Sequence, residues 1–501
     1  MRTLIKHNLH SFGIKTQSFS TLNTKLPAKT PFSIYIHWPY CESKCTYCNF
    51  NKYINPRDPP HERLVKAMTR ELDFYLTDPR FGLKNKRLNS VYFGGGTPSL
   101  ALSIESAKLQ DFAKAGVNRL SLGIQSFNDK DLKVMGRDHS GTDAIRAITK
   151  AKQVFHKERL TFDLIFARPG QTLEAWDDEL KQGLELAGDH MSIYQLTMER
   201  STPLHKASVR GELPPLPSPD EAADMYEQTL KRTSEYGFSH YEVSNYCQNE
   251  SAISRHNFSY WQGMDYLGVG PGAHGRLTRT EDGVRVRTFG EFHPNKYMAL
   301  CESEGEGIRK MVPISARETI EELIVFGMRT RMGVPRARFQ AMTGLYLDNV
   351  LDKEMLQTYI EAGFLIDEAG VMDQAMNKYV PNELLSEWDL HGGIRPTESG
   401  LERMDSIICS RFQKFKKSMF PGSSNITVCS YANLNWILTD SPSEFFFIGT
   451  LEISALNTWS TVTKRTLINR PAITLEFKQH VIAYIIPACI IPACVSQQMF
   501  C

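Results

Sequence analysis

Cys41, Cys45 and Cys48 fall within eight residues, Cys41-Glu-Ser-Lys-Cys45-Thr-Tyr-Cys48. Three thiolates so closely spaced on one loop can converge on a single metal centre. A structural zinc ion wants four closed ligands, and no fourth Cys or His follows nearby. An iron–sulfur cubane has four irons, so three Cys leave one iron open to an exchangeable ligand. A redox disulfide has no use for the third Cys, and thiol burial does not explain the spacing. The pattern favours a cluster. The other seven Cys (Cys247, Cys301, Cys409, Cys429, Cys489, Cys494 and Cys501) show no ligand spacing.

The elements that must hold these thiols are legible upstream and downstream. Apolar, β-rich runs at Phe32–His37, Ser90–Phe93, Arg119–Ile124, Leu160–Ile165 and Met191–Thr197 alternate with helical stretches. Leu64, Met68, Leu72 and Leu76 mark the first helix at i, i+4 spacing. Ser218 as N-cap, Pro219, Glu221 closing a capping box and Gly237 as the stop mark a later one. Strands separated by helices predict a parallel α/β sheet, open or closed into a barrel, with function at the C-terminal strand ends. The Cys triplet follows the first strand. The second ends in Tyr92-Phe93-Gly94-Gly95-Gly96-Thr97-Pro98, where glycines let backbone N–H groups approach a ligand.

The 501 residues are 41% hydrophobic and 23% charged, an ordinary globular composition sufficient for two or three domains. Residues 1–30 are basic, carry Ser and Thr, and contain no acid, as in a mitochondrial transit peptide. Five cations precede Glu42, so the rest of the 58 basic and 56 acidic residues leave the body at −3 rather than +2. A slightly acidic body argues against nucleic acid as a partner. No stretch reaches the ~18–20 apolar residues of a membrane span. From about Pro421 the helical periodicity stops, and residues 420–501 read as an atypical, poorly ordered tail.

C-x3-C-x2-C followed by a GGGTP strand resembles the radical S-adenosylmethionine enzymes. More narrowly it resembles the branch holding oxygen-independent coproporphyrinogen dehydrogenase and the HemW-type haem chaperones. Leu122-Gly-Ile-Gln125-Ser126-Phe127, Gly136-Arg137-Asp138-His139, Tyr241-Glu-Val-Ser-Asn245 and the segment Tyr266 to Gly275 extend the likeness over residues 31–415. It implies an open, TIM-like partial barrel over residues 31–275 and a mainly helical C-terminal domain over 280–415, covering the barrel's open side. It also implies a [4Fe-4S] cluster on Cys41, Cys45 and Cys48, with S-adenosylmethionine on the fourth iron. Tyr35, Tyr47, Gly95, Gly96, Thr97, Gln125, Arg137 and Asp163 match the family's S-adenosylmethionine contacts.

Two features separate the branches. The dehydrogenase has a fourth Cys two positions after the third, where this chain has Phe50. His256-Asn257-Phe258-Ser259-Tyr260-Trp261 matches the H-N-x-x-Y-W haem motif of the chaperones, implying haem contact through His256, Asn257, Tyr260 and Trp261. The resemblance thus implies a mitochondrial haem chaperone that delivers haem to respiratory-chain proteins. The alternatives are an oxygen-independent coproporphyrinogen-III oxidase and an inactive truncated variant.

The chain also departs from the family. Between the GGGTP loop and Arg119 one helix and one strand are missing, and with them a Glu that binds S-adenosylmethionine. The barrel is therefore expected to be one strand short. Ala167-Arg168-Pro-Gly170 replaces the usual Gly-Leu-Pro-Gly and puts a charge in an apolar position.

Overall fold

A computed structural model describes residues 31–41, 44–54, 60–95, 106–368, 392–408 and 451–453. Residues 1–30, and with them the expected transit peptide, lie outside this set, as do Gly96 and Thr97.

The first strand, β1 (Pro31–Trp38), is followed by two short ones, β2 (Tyr40–Cys41) and β3 (Tyr53–Ile54). Then come β4 (Arg87–Gly95), β5 (Arg119–Gln125), β6 (Leu160–Phe166) and β7 (His190–Gln195). Each observed strand falls within a few residues of its apolar run. Helices His61–Thr77, Ser106–Lys114, Gly141–Lys152 and Leu173–Leu186 alternate with them, because parallel neighbours need long crossovers. β6 is buried along its whole length, as a strand covered on both faces must be. On the first helix Leu64, Met68 and Leu72 are buried with Ala67 and Tyr75, while Leu76 is only partly covered.

The sheet continues through β8 (Ser239–Glu242), β9 (Asn245–Cys247), β10 (Asp265–Val269), β11 (His274–Thr278), β12 (Arg285–Gly290) and β13 (Ile308–Pro313). Its order is β13-β12-β11-β10-β1-β4-β17-β5-β6-β7-β9-β8. β10, β1 and β4 are parallel, as are β5, β6 and β7. The strand between these two groups is β17 (Leu451–Ile453), antiparallel to both neighbours. Leu451, Glu452 and Ile453 face Phe93, Tyr92 and Val91, and Leu451 and Glu452 face Leu120 and Arg119. β4 and β5, expected from the sequence to reconnect with one strand fewer, are thus separated by a strand from the tail. This differs from the expectation of a sheet one strand short, and it places these three residues of the expected tail in a strand. The rest of residues 420–501 lies outside the described set.

The second region has its own apolar core, containing Ile320, Leu323, Phe339, Leu356, Ile394 and Ile407. Its helices Ala316–Met328, Arg336–Thr343 and Lys353–Glu361 accompany a small antiparallel sheet of β14 (Val334–Pro335), β16 (Gly393–Pro396) and β15 (Leu365–Glu368). The first of these helices meets both ends of the large sheet. Glu322 pairs with Arg276 and Arg287 on β11 and β12, and Thr330, just past the helix, bridges Glu242 on β8.

Candidate functional site

The Cys loop leaves the C-terminal end of β1 and is closed by its own strand pair, Tyr40 opposite Tyr53 and Cys41 opposite Ile54. Cys41 is buried, and Cys45 and Cys48 are partly exposed. Neighbouring helix ends and the loops after β10 and β12 hold it. Thr46 N–H and Oγ1 donate to the Met135 and Val134 carbonyls at 3.0 and 2.8 Å, and Leu204 N–H donates to Thr46 at 2.9 Å. Asn51 Nδ2 donates to the Pro271 and Phe292 carbonyls at 3.1 Å each, while its own carbonyl meets His37 Nε2 at 2.9 Å.

Arg137 joins the loop to β5. One guanidinium nitrogen donates to Gly123 O at 2.5 Å and the other to Cys45 Sγ at 3.4 Å. The guanidinium thus ties this thiol to the strand that ends at Gln125. Tyr47 is buried among Leu132, Met135, Ile165, Leu196 and Leu204, within electrostatic reach of Cys45, Cys48, Arg137 and Asp163. Asp163 is buried on β6, beside Ser121 Oγ at 3.4 Å and opposite Ser192 of β7. Gln125 ends β5 with φ of +70° and is 1% exposed, and its side-chain N–H group has no partner among the described residues.

The two glycines that end β4 answer to neighbouring protein atoms. Gly94 clears space for Tyr35, whose ring would lie 2.6 Å from an added Cβ. Gly95 has φ of +113°, and a Cβ there would stand 2.2 Å from Trp38 O. Tyr35 stacks on Tyr92 at 6.0 Å and bonds His37 Nδ1 through its hydroxyl at 3.0 Å. Among the described residues, no three His, Cys, Asp or Glu side chains form a ready cage for a single metal ion.

The His256 motif adjoins these residues from the other end of the strands, the His256 ring stacking 6.3 Å from that of Tyr35. Helix Arg255–Trp261 packs toward the N-terminal halves of β1 and β4: Ser259 Oγ meets Ser33 Oγ at 3.1 Å and His256 Nδ1 meets Ser90 Oγ at 3.0 Å. Ser90 is five residues before Gly95, roughly 16 Å along the strand. His256 is fully buried and stacked on Tyr92, with Tyr260 edge-on at 4.7 Å. Asn257 is buried, and Trp261 turns to the second core, against Phe326 and under Arg329. The four motif residues therefore do not converge on one open surface.

Two buried networks escaped the sequence reading. Glu242, pushed up to about 7 by burial, accepts from Asn245, whose own oxygen accepts from Ser192 Oγ at 2.7 Å. Arg168 is buried between Asp131 and Glu179, 2.9 and 2.5 Å away, so the charge in an apolar position finds two opposite charges. The signal was Glu179 itself, an acid on the apolar stripe of Trp176, Leu180 and Leu184.

Residues 102–182 match the radical SAM superfamily and residues 314–372 the HemN C-terminal domain. The chain is 38% identical over 430 residues to the mitochondrial radical S-adenosyl methionine domain-containing protein 1 of Bos taurus, covering 78% of this chain and 90% of that protein. It is 32% identical over 370 residues to the heme chaperone HemW of Escherichia coli, covering 67% and 92%. Coproporphyrinogen III oxidase (HemN) from Escherichia coli, a radical SAM enzyme, shares the fold, with a TM-score of 0.58 at 18% identity over 76% of this chain and 90% of that one. The chain belongs to the radical SAM superfamily, in the group that holds the HemW heme chaperones and the mitochondrial radical S-adenosyl methionine domain-containing protein 1.

Proposed function

We propose that this chain is a mitochondrial haem chaperone that carries a [4Fe-4S] cluster and S-adenosylmethionine and passes haem to respiratory-chain proteins. The observation that carries the reading is the meeting of Cys45, Arg137, Tyr47 and Asp163 at the strand ends, in a chain alike to HemW over nine-tenths of that protein. Three thiols on one braced loop suit a cluster with one open iron, so Cys41, Cys45 and Cys48 would hold it. Gln125, Arg137 and Asp163 offer a buried amide, a cation and a carboxylate beside it, a set suited to the amino, carboxylate and ribose groups of S-adenosylmethionine. A bound cluster supplies one-electron chemistry, and the protein's part is to orient the cofactor and keep water out.

Helix Ala316–Met328 and Thr330 touch β8 at one end of the sheet order and β11–β12 near the other, which supports a sheet curled into a partial barrel over residues 31–275. The mitochondrial names of the relatives support the same location here, with residues 1–30 as transit peptide.

Ligation of haem iron by His256 does not fit the arrangement described: the ring is buried and Tyr92 covers one face. The haem role therefore rests on the relatives and assigns no iron ligand.

Anaerobic reconstitution tests the reading. Wild type should bind iron and sulfide in equal amounts, bind S-adenosylmethionine, and take up haem it can hand to an apo-cytochrome. Replacing the three Cys by Ser should abolish iron and sulfide uptake; retention at wild-type levels would overturn the cluster assignment. Consumption of coproporphyrinogen III would favour the oxidase instead.

A further inference from the structure

Two successive strand ends leave regular geometry at residues that are not glycine. Gln125, after β5, has φ of +70°, and Ala167, after β6, has φ of +56°. L-residues persist in this region only where their surroundings hold them. What holds them here is one guanidinium. Arg168 is 2% exposed; Nη1 donates to Ile165 O at 2.7 Å and Gln125 O at 3.4 Å, and Nη2 reaches Glu179 and Asp131. Glu179 completes the clamp from the other side, accepting from Ser126 Oγ at 2.5 Å and Phe127 N–H at 2.7 Å. Gln171 Nε2 adds a longer bond to Glu179 at 3.4 Å, and only Nε of Arg168 lacks a partner among the described residues.

The clamp therefore grips the backbone on both sides of the Gln125 side chain, whose buried N–H group has no acceptor among the described residues. We propose that Arg168, through Glu179, is a positioning residue for Gln125, holding its amide toward the carboxylate or ribose oxygens of S-adenosylmethionine. This rests on the cofactor reading above. It also gives a reason for Arg168: a leucine there could neither bond the Gln125 carbonyl nor neutralise the buried Glu179 and the partly exposed Asp131. The Arg's planar fork reaches separated acceptors in fixed directions, which a lysine's single ammonium does not reproduce.

The test uses anaerobically reconstituted full-length protein with Arg168→Lys, Gln125→Ala and the double variant. Arg168→Lys keeps the charge, so iron and sulfide content should stay near wild type, while the lost buried bonds lower the melting temperature by a few degrees. Amide exchange at residues 125–127 should accelerate, and S-adenosylmethionine affinity by equilibrium dialysis should fall about ten-fold, as for one or two lost hydrogen bonds. Because Arg168 acts through Gln125, the double variant should bind no more weakly than Gln125→Ala alone. Additive losses, or Arg168→Lys with wild-type affinity and exchange, would overturn the proposal. If Arg168→Lys does not fold, Arg168→Leu with Glu179→Gln and Asp131→Asn removes the charges together, and the same exchange and binding outcomes decide. If cluster-loaded wild type binds no S-adenosylmethionine, the cofactor reading fails; exchange at 125–127 then decides the clamp by itself, faster supporting it and unchanged refuting it.

Discussion

The imidazole of His256 lies flat on the phenol ring of Tyr92, with centroids 4.0 Å apart and planes 6° from parallel. Ser90 holds its Nδ1 from the same strand, so the side chain is fixed by packing and by a hydrogen bond. Haem titration of wild type and His256→Asn should therefore give the same affinity and absorption spectrum. A lost Soret shift in the variant would mean that the helix leaves the sheet to present His256.

Burial also makes the fold sensitive to acid. It lowers His61 and His190, takes His37, His139 and His240 to about 4, and takes His256 and His274 to about 3. An unfolded imidazole gains its proton near pH 6.5, so in this window the unfolded state binds more protons and stability falls as pH falls. Glu71 and Glu242, raised to about 7 by burial, act oppositely between about pH 4.5 and 7, but they are fewer. Denaturant titrations should show stability dropping from pH 6.5 toward 4.5. His256→Asn should flatten that slope by about 1.4 kcal/mol per pH unit.

Gly95 and Gly116 separate strain from collision. Both have positive φ, yet a Cβ at Gly116 meets nothing within 4 Å while one at Gly95 meets the Trp38 backbone. Gly116→Ala should cost about 1–2 kcal/mol. Gly95→Ala should cost clearly more, because two backbones must separate. Equal losses in urea melts would contradict the packing described.

Glu71 tests a carboxylate that joins distant segments. Its oxygens accept from Gly270 N–H at 2.9 Å, Gly307 N–H at 3.0 Å and the Tyr297 hydroxyl at 2.5 Å. Glu71→Gln puts a donor where donors already point, leaving one of them unmet at about 1–3 kcal/mol. The expected readout is a lower melting temperature with unchanged iron binding.

Glu452→Pro should weaken β17, since proline removes a ladder donor and is excluded from central strands. Amides of residues 91–93 and 119–120 should exchange faster in the variant. Exchange as in wild type would show that β4 and β5 do not depend on this pairing.

The parallel strands and the Cys loop were legible because their signals are local: apolar runs bounded by breakers, and three thiols within eight residues. Arg168 was visible only as a misfit, because its partners Asp131 and Glu179 lie on other elements and burial, not spacing, brings them together. The position of His256 was hidden for a similar reason. Five of the seven residues of its helix are buried, so no exposed face marks which side meets the sheet. The strands β14 to β16 are two to four residues long, too short for alternation to register. Nothing near Leu451 announces partners more than 300 positions earlier.

That last pairing sets an order of assembly. β17 can take its seat only when residues 451–453 reach β4 and β5 across more than 300 intervening positions, a long-range closure that comes late in folding. Until that closure two bare strand edges face each other, and bare edges are where other extended segments pair.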